Sequence, residues 1–167
     1  GDARAALVAE LQPEVAAAYR DLAAAGEVVL SYRPAWRESG LSAALHEVRR
    51  DELRRGVGLV GPHRDELDVA LDGLPARTHA SQGEQRTLAL ALRLAAARRL
   101  AAALDAPPLL LLDDVFSELD DARATALLAH LPAGQTVITT ATALPATTRP
   151  DLVLRVADGL VTPEGGA

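Results

Sequence analysis

Four consecutive leucines, Leu109 to Leu112, follow directly on Pro107-Pro108 and run straight into Asp113-Asp114. The run is too short for a helix and the prolines break any helix arriving from upstream, so it reads as a β-strand. Because it is apolar at every position and not only at alternate ones, a parallel strand buried on both faces is expected. Such a strand needs neighbouring strands and covering helices, which directs the chain to an α/β architecture. The paired carboxylates then stand at the carboxyl end of a buried strand, where open α/β sheets bind ligands. There a first carboxylate can hold Mg²⁺, directly or through water, and the next can orient or deprotonate an attacking water. A helix cap or a solvated loop is the other use of the same residues.

The remaining pattern fits around this strand. Val8, Leu11, Val15, Tyr19 and Leu22 recur at helical spacing, with Pro13 expected to break or kink the helix, which ends at Gly26. Glu27 to Tyr32 is a short β-rich run closed by Pro34, and Leu41, Leu45, Val48 and Leu53 restore the helical period up to Gly56. Val57 to Val60 reads as a strand; Leu67, Val69 and Leu71 alternate towards the hairpin turn Asp72-Gly73. A long helix is expected from Gln82 to about Leu104, capped by the S-x-x-E pattern of Ser81 and Glu84 and buried around Leu88 to Leu94. Asp120 or Asp121 caps another helix that Gly134 ends, and Thr136 to Thr140 is a second buried strand. Leu152, Leu154 and Val156 alternate into a last hairpin at Asp158-Gly159, leading to Leu160 to Thr162.

Composition removes several classes of chemistry. With 167 residues, 49% of them hydrophobic, the chain can bury a core of one domain or of two small lobes. Cys 0 excludes disulfides and thiol catalysis, and leaves four His, too scattered for a metal site. Every basic residue is Arg, so a P-loop lysine, a Schiff-base lysine and a Ser-Lys hydrolase are all excluded within this sequence. The net charge of −6 argues against a wholly basic nucleic-acid binder, but not against a local basic patch. No apolar stretch approaches the roughly 20 residues of a membrane span, and a cytoplasmic setting is expected.

A second motif lies at Ala80 to Arg86, where a hydroxyl, a glycine and a helix N-terminus come together. Free N–H groups and the positive end of the helix dipole can bind phosphate there, although helix capping alone explains the pattern. The two motifs together carry a resemblance. Ser81-Gln82-Gly83-Glu84-Gln85 resembles the signature motif of ABC and SMC-type ATPases, Leu109 to Asp114 their Walker B strand, and Ser117-Glu118-Leu119-Asp120 their D-loop. The longer strings Gly61 to Leu67, Ala80 to Ala95 and Leu109 to Asp120 resemble the bacterial RecF family across nearly the whole chain.

The resemblance implies an α/β fold: the C-terminal part of an ABC/SMC-type ATPase lobe over 57–167, its sheet incomplete and flanked by helices, preceded by part of a helical second lobe over 1–56. It implies an ATP-dependent, dimerising, DNA-binding ATPase that acts at gaps in DNA with RecO and RecR. Asp113 would be the Mg²⁺-linked Walker B acid and Asp114 the catalytic carboxylate. Most ABC relatives have Glu at that second place, so Asp114 implies a slow enzyme. Ser81 and Gly83 would meet the γ-phosphate of ATP held by the opposite subunit, with Gln85 and Ser117 in the same nucleotide-facing motifs, and Asp120 would align the subunits. Where ABC ATPases carry a switch histidine, Ile138-Thr139-Thr140-Ala141 offers hydroxyls, and Thr140 is the candidate phosphate sensor.

A P-loop ending in Lys-Ser/Thr is missing, so the chain looks like roughly the C-terminal half of such a protein, a fragment or a truncated product. Alone it is expected to bind ATP weakly or not at all, to expose apolar surface and to self-associate. A non-catalytic binding piece, and the tail of another SMC-like ATPase, are the alternatives. Arg49, Arg50, Arg54, Arg55 and Arg64 could meet DNA phosphates, although Glu47 and Asp51 one turn away favour a salt-bridged helix face. His63 is expected to be structural, and Trp36 to pack at the junction of the lobes.

Overall fold

The computed structural model describes residues 1–23, 25–34 and 36–164. Helix α1 (Asp2–Ala23), strand β1 (Val28–Arg33) and helix α2 (Leu41–Arg55) come first, then strands β2 (Glu66–Leu71) and β3 (Leu74–Pro75). The one-turn helix α3 (Ala76–His79) leads into the long helix α4 (Gln82–Leu104). Strand β4 (Leu110–Leu112), a 3-10 turn over Val115–Glu118, helix α5 (Asp121–Ala129) and strands β5 (Thr136–Ile138), β6 (Val153–Ala157) and β7 (Leu160–Glu164) complete the order. They form an antiparallel sheet β1-β2-β3, a parallel pair β4-β5 and an antiparallel hairpin β6-β7.

The core lies where α1 packs along α4. Val15, Ala18, Tyr19 and Leu22 of α1 are buried in one cluster with Leu88, Ala91, Leu94 and Ala95 of α4, and α5 adds Ala124 and Leu127. The spacing on α1 is the i, i+3, i+4, i+7 stripe of an amphipathic surface, and the buried positions of α4 recur every three to four residues along the facing side. Pro13 does not break α1, which runs through it as one helix. Tertiary contacts beside the proline offset the lost helical hydrogen bond. Gln12 Nε2 donates to Val28 O at 2.7 Å, and Gln12 Oε1 accepts from Leu30 N at 2.5 Å, so one side chain serves β1 as a neighbouring strand would.

Strand β1 pairs with β2 along its whole length, from Val28↔Leu71 to Arg33↔Glu66. Residues on the two sides of position 56/57 therefore share one sheet and one core, whereas α2 buries only Ala44. Around the far end of this sheet, Asp65 gathers three partners. Its side chain, 1% exposed, faces Arg4 at 3.6 Å and accepts from Trp36 Nε1 at 2.9 Å and from the Tyr32 hydroxyl. That hydrogen bond, more than burial, pushes the Tyr32 pKa up. Trp36 is thus a packed, hydrogen-bonded side chain. Residues 57–60, read as a strand, are irregular loop. Their backbone is served by side chains instead: Leu59 N donates to Glu52 Oε1 at 2.7 Å and Arg64 Nε to Gly58 O at 3.0 Å.

Both hairpin turns take the form their sequences call for. Asp72 and Gly73 (φ 51° and 78°) and Asp158 and Gly159 (φ 51° and 75°) all lie in the left-handed region that a two-residue hairpin of this hand requires. Helix α5 ends at Ala129, earlier than Gly134, because His130 turns out of the helix and its Nδ1 meets Ala126 O at 2.8 Å. Gly134 (φ 118°) serves a later turn, where a Cβ would lie 2.7 Å from Pro107 Cβ.

The leucine strand departs from expectation on one face. Leu112 is buried, but Leu109 and Leu111 are 55% and 66% exposed, as is Val137 beside Leu111 at 44%. Among the described residues β4 has only β5 beside it, so the apolar pattern finds cover on one side alone. Leu154, Val156 and Val161 of the last hairpin are exposed as well, in keeping with the apolar surface expected from the sequence.

Helix α4 begins at a complete capping box. Ser81 Oγ accepts from Glu84 N at 3.3 Å, and Glu84 Oε2 accepts from Ser81 N at 2.7 Å. The Ser81 hydroxyl, and then the Ser81 N–H, hold the Glu84 carboxyl below the ordinary glutamate range.

These contacts set the expected cost of losing them. Leu94→Ala removes a side chain that is 1% exposed and should cost about 2–5 kcal/mol in urea unfolding, whereas Leu111→Ala should stay within about 0.5 kcal/mol. Ser81→Ala should cost about 1 kcal/mol at neutral pH, as loss of an N-cap serine does. Because the folded Glu84 pKa is depressed, its contribution is complete above the unfolded value and is lost as pH falls through the folded one. The Ser81→Ala penalty should therefore shrink in unfolding curves recorded below the ordinary glutamate pKa of 4.5.

Candidate functional site

The parallel pairing of β4 with β5 sets the geometry of the carboxylates. Leu112 lies opposite Ile138, and Thr139 N donates to Leu112 O at 2.9 Å, so the residues just beyond both strands emerge side by side. Asp113 and Asp114 are exposed there. In an extended strand their side chains would point to opposite faces. The backbone instead turns at Asp114 (φ 46°, ψ 33°), a left-handed conformation uncommon outside glycine. Four contacts hold the turn. Asp114 N donates to Thr139 Oγ1 at 3.0 Å, Ser117 Oγ donates to Asp114 O at 2.8 Å, and Ala141 N reaches Asp114 Oδ1 at 3.5 Å. The Thr139 hydroxyl in turn donates to Asp113 Oδ1.

Beside this loop a groove of about 360 Å³ opens against α4, lined by Arg86, Leu90 and Arg93 on one wall and Asp113, Asp114 and Ser117 on the other. Arg86 Nε pairs with Glu118 Oε2 at 2.9 Å, tying the first turns of α4 to the segment after β4. Asp120 caps α5, accepting from Arg123 N at 2.8 Å and from Arg123 Nη1 at 2.7 Å. The same guanidinium approaches Gly83, where a Cβ would stand 3.7 Å from Nη1. The signature helix and the D-loop-like segment are thus braced against each other within the chain.

Ser81, Gly83 and Gln85 cluster at the start of α4. The Ser81 hydroxyl is engaged by Glu84, and Gln85 Nε2 donates to Ala80 O at 2.9 Å. Among the described residues no hydrogen bond joins these three to Asp113 or Asp114. By hydrogen bonding they form two clusters, one at the helix start and one at the strand ends, with the Arg86–Glu118 ion pair between them. Thr140 does not reach the carboxylates; its hydroxyl meets Thr142 O at 3.2 Å and Thr142 Oγ1 at 3.1 Å. Thr139 is the hydroxyl that bonds the Asp113 carboxylate and the Asp114 backbone N–H, and sequence reasoning passed over it. Aligning Leu109 to Asp114 with Thr136 to Thr140 as parallel strands would have shown it, since position 139 then stands beside 113.

The arginines divide. Arg49, Arg50 and Arg55 are exposed on α2 and make no ion pair among the described residues, while Arg54 pairs with Asp51 at 2.7 Å and Arg64 bonds to Gly58 O. His63 lies against the Gly58–Gly61 loop. Two hard carboxylates, a hydroxyl and open space suit Mg²⁺, which takes one or two protein carboxylates and completes its shell with water and substrate phosphates. Among the described residues no group of three or more His, Cys, Asp or Glu forms a cage for a metal ion.

No protein-family profile matches the chain. Over 139 residues it is 48% identical to the DNA replication and repair protein RecF of Moorella thermoacetica, covering 82% of this chain and 38% of that protein. It is 47% identical over 156 residues to the protein of the same description from Frankia alni, covering 83% of this chain and 41% of that protein. The chain thus spans about two-fifths of the length of these curated relatives. Among solved structures, the recombination mediator protein RecF with ATP, from the RecFOR pathway, superposes with a TM-score of 0.78 at 26% identity, covering 98% of this chain and 46% of that one. A structure from work on ATP-driven dimerization and DNA-stimulated activation of SMC ATPases gives a TM-score of 0.60 over 99% of this chain at 15% identity, a likeness of fold alone. With close to half of the aligned residues identical to these relatives over about four-fifths of its length, the chain belongs to the RecF family.

Proposed function

We propose that this chain supplies the Walker B and signature portion of a RecF-type ATPase that serves DNA replication and repair, and that its two clusters face two different nucleotides in an ATP-dependent dimer. The observation that carries this is that Asp113 and Asp114 line one groove at the mouth of β4 and β5, while Ser81, Gly83 and Gln85 make no hydrogen bond to them among the described residues. Asp113 would hold Mg²⁺, which supplies charge neutralisation at the phosphates when bound. Asp114 would orient the attacking water and accept its proton, with Ser117 holding the backbone on which it turns. Ser81 and Gly83, with Gln85 beside them, would meet the γ-phosphate of ATP bound to the opposite subunit, using the free N–H groups of the helix start. Asp120 would set the D-loop between the subunits. Thr140, turned towards Thr142, is the weakest of these assignments.

DNA at gaps, together with RecO and RecR, would be the partners of the assembled protein. Arg49, Arg50, Arg54, Arg55 and Arg64 would meet DNA phosphates, with Arg49, Arg50 and Arg55 exposed and in no ion pair among the described residues, and residues 1–56 would be this chain's share of the helical lobe. A second reading, a non-catalytic DNA- or partner-binding piece, is favoured by the absence of any Lys from the sequence.

Grafting this chain in place of the matching 139 residues of the Moorella thermoacetica relative separates the two. The chimera should hydrolyse ATP slowly. Asp114→Asn should lower that rate by about 100-fold or more, as loss of a catalytic general base does, while ATP still drives dimerisation in light scattering. Equal rates with and without Asp114 would refute the catalytic assignment.

A further inference from the structure

We infer that Thr139 is the positioning residue of the carboxylate pair: its one hydroxyl sets the direction of Asp113 and the backbone turn of Asp114 at once. The inference rests on the functional reading above for its consequence in catalysis, but its geometry stands independently. A hydroxyl carries one donor hydrogen and accepts through its lone pairs. Here the hydrogen goes to Asp113 Oδ1, and the Asp114 N–H at 3.0 Å fills a lone pair. The arrangement is held from behind, because Thr139 N is bonded to Leu112 O at 2.9 Å and cannot swing away without breaking the strand pairing.

Both carboxylates are affected. The hydroxyl fixes Asp113 Oδ1, and leaves Oδ2, which has no hydrogen-bond partner among the described residues, for a cation. The left-handed backbone at Asp114, unfavourable for a residue with a Cβ, gains a bonded N–H in exchange. Without it adjacent aspartates would spread to opposite faces, and only one could serve a given ligand. Ser117 supports the same turn at the Asp114 carbonyl but touches neither carboxylate. Arg86 and Arg93 face the groove from α4, and neither forms an ion pair with Asp113 or Asp114 among the described residues. Ala141 N reaches the Asp114 carboxylate only at 3.5 Å, so Thr139 is the side chain that bonds both residues of the pair, Asp113 at its carboxylate and Asp114 at its backbone N–H.

Valine matches threonine in shape but neither donates nor accepts, whereas serine does both. In the isolated chain, amide hydrogen exchange followed by NMR should show the Asp114 N–H exchanging about fivefold faster or more in Thr139→Val and near its original rate in Thr139→Ser. The amide of residue 139, bonded to Leu112 O, should keep its protection in both. Unchanged Asp114 exchange in the valine variant would overturn the inference, and so would an equal loss at both amides, which marks strand opening rather than a lost hydroxyl. In the chimera, Thr139→Val should lower kcat or raise the Mg²⁺ requirement by about 10–100-fold while ATP affinity holds, with Thr139→Ser restoring most of the loss. A valine variant as active as its parent, at the same Mg²⁺ requirement, overturns it too. A chimera that never hydrolyses ATP refutes the functional reading, and the exchange measurement then decides Thr139 alone.

Discussion

Everything in this molecule hangs on the contact between α1 and α4. Buried alanines at positions 18, 91 and 95 leave little side chain to separate the two helices, and Val15, Tyr19, Leu22, Leu88 and Leu94 fill the space around them. Held in this way, α1 presents Gln12 to β1 and so fixes the antiparallel sheet on one side. Helix α4 presents its capped start and its arginine-bearing wall on the other. Helix α5 closes on the same core through Ala124 and Leu127, which brings Asp120 and Arg123 to Gly83. The signature turn and the segment after β4 thus belong to one packed body, joined by the Arg86–Glu118 ion pair, although no hydrogen bond links Ser81, Gly83 or Gln85 to Asp113 or Asp114 among the described residues.

Much of this was legible in the residues, for identifiable reasons. Ser81 and Glu84 announce a capping box because both halves of the reciprocal bond are local in sequence, and the box forms. Asp72-Gly73 and Asp158-Gly159 specify their turns through backbone conformations that few other residues accept. The carboxyl end of the leucine strand was legible as a candidate site because open α/β sheets bind ligands at strand ends, and Asp113 and Asp114 do line a groove there. The features that escaped were set by distant partners. Pro13 argued for a broken helix, and Gln12 bonded to β1 keeps it whole. Val57 to Val60 had strand-like side chains, but Glu52 and Arg64 satisfy the loop's backbone groups. Thr139 and Thr140 are alike in sequence, and only the register of β5 on β4 sets one on the aspartates and turns the other away.

The half-covered leucine strand connects fold to function. A strand apolar at every position, with Leu111 exposed, is chemically suited to a further layer, and the site at its end is suited to a ligand that brings its own contacts. Asp113 and Asp114 offer negative charge alone, and no Lys in the sequence can balance a triphosphate beside them. Helix α4 offers N–H groups that make no hydrogen bond to those carboxylates among the described residues. In the function proposed above, each cluster would be one half of a phosphate site, and joining the halves across subunits would make dimerisation a condition of turnover.

Calorimetric titration of MgATP into the purified 167-residue chain tests that division most directly. The phosphate contacts of a P-loop and its lysine supply most of the affinity in such ATPases, and this sequence has no such lysine. No saturable heat, and no phosphate release over hours, is the expected result. A micromolar dissociation constant accompanied by hydrolysis would show that these residues form a complete nucleotide site by themselves, and would contradict the assignment of Asp113 and Asp114 to one half of a shared one.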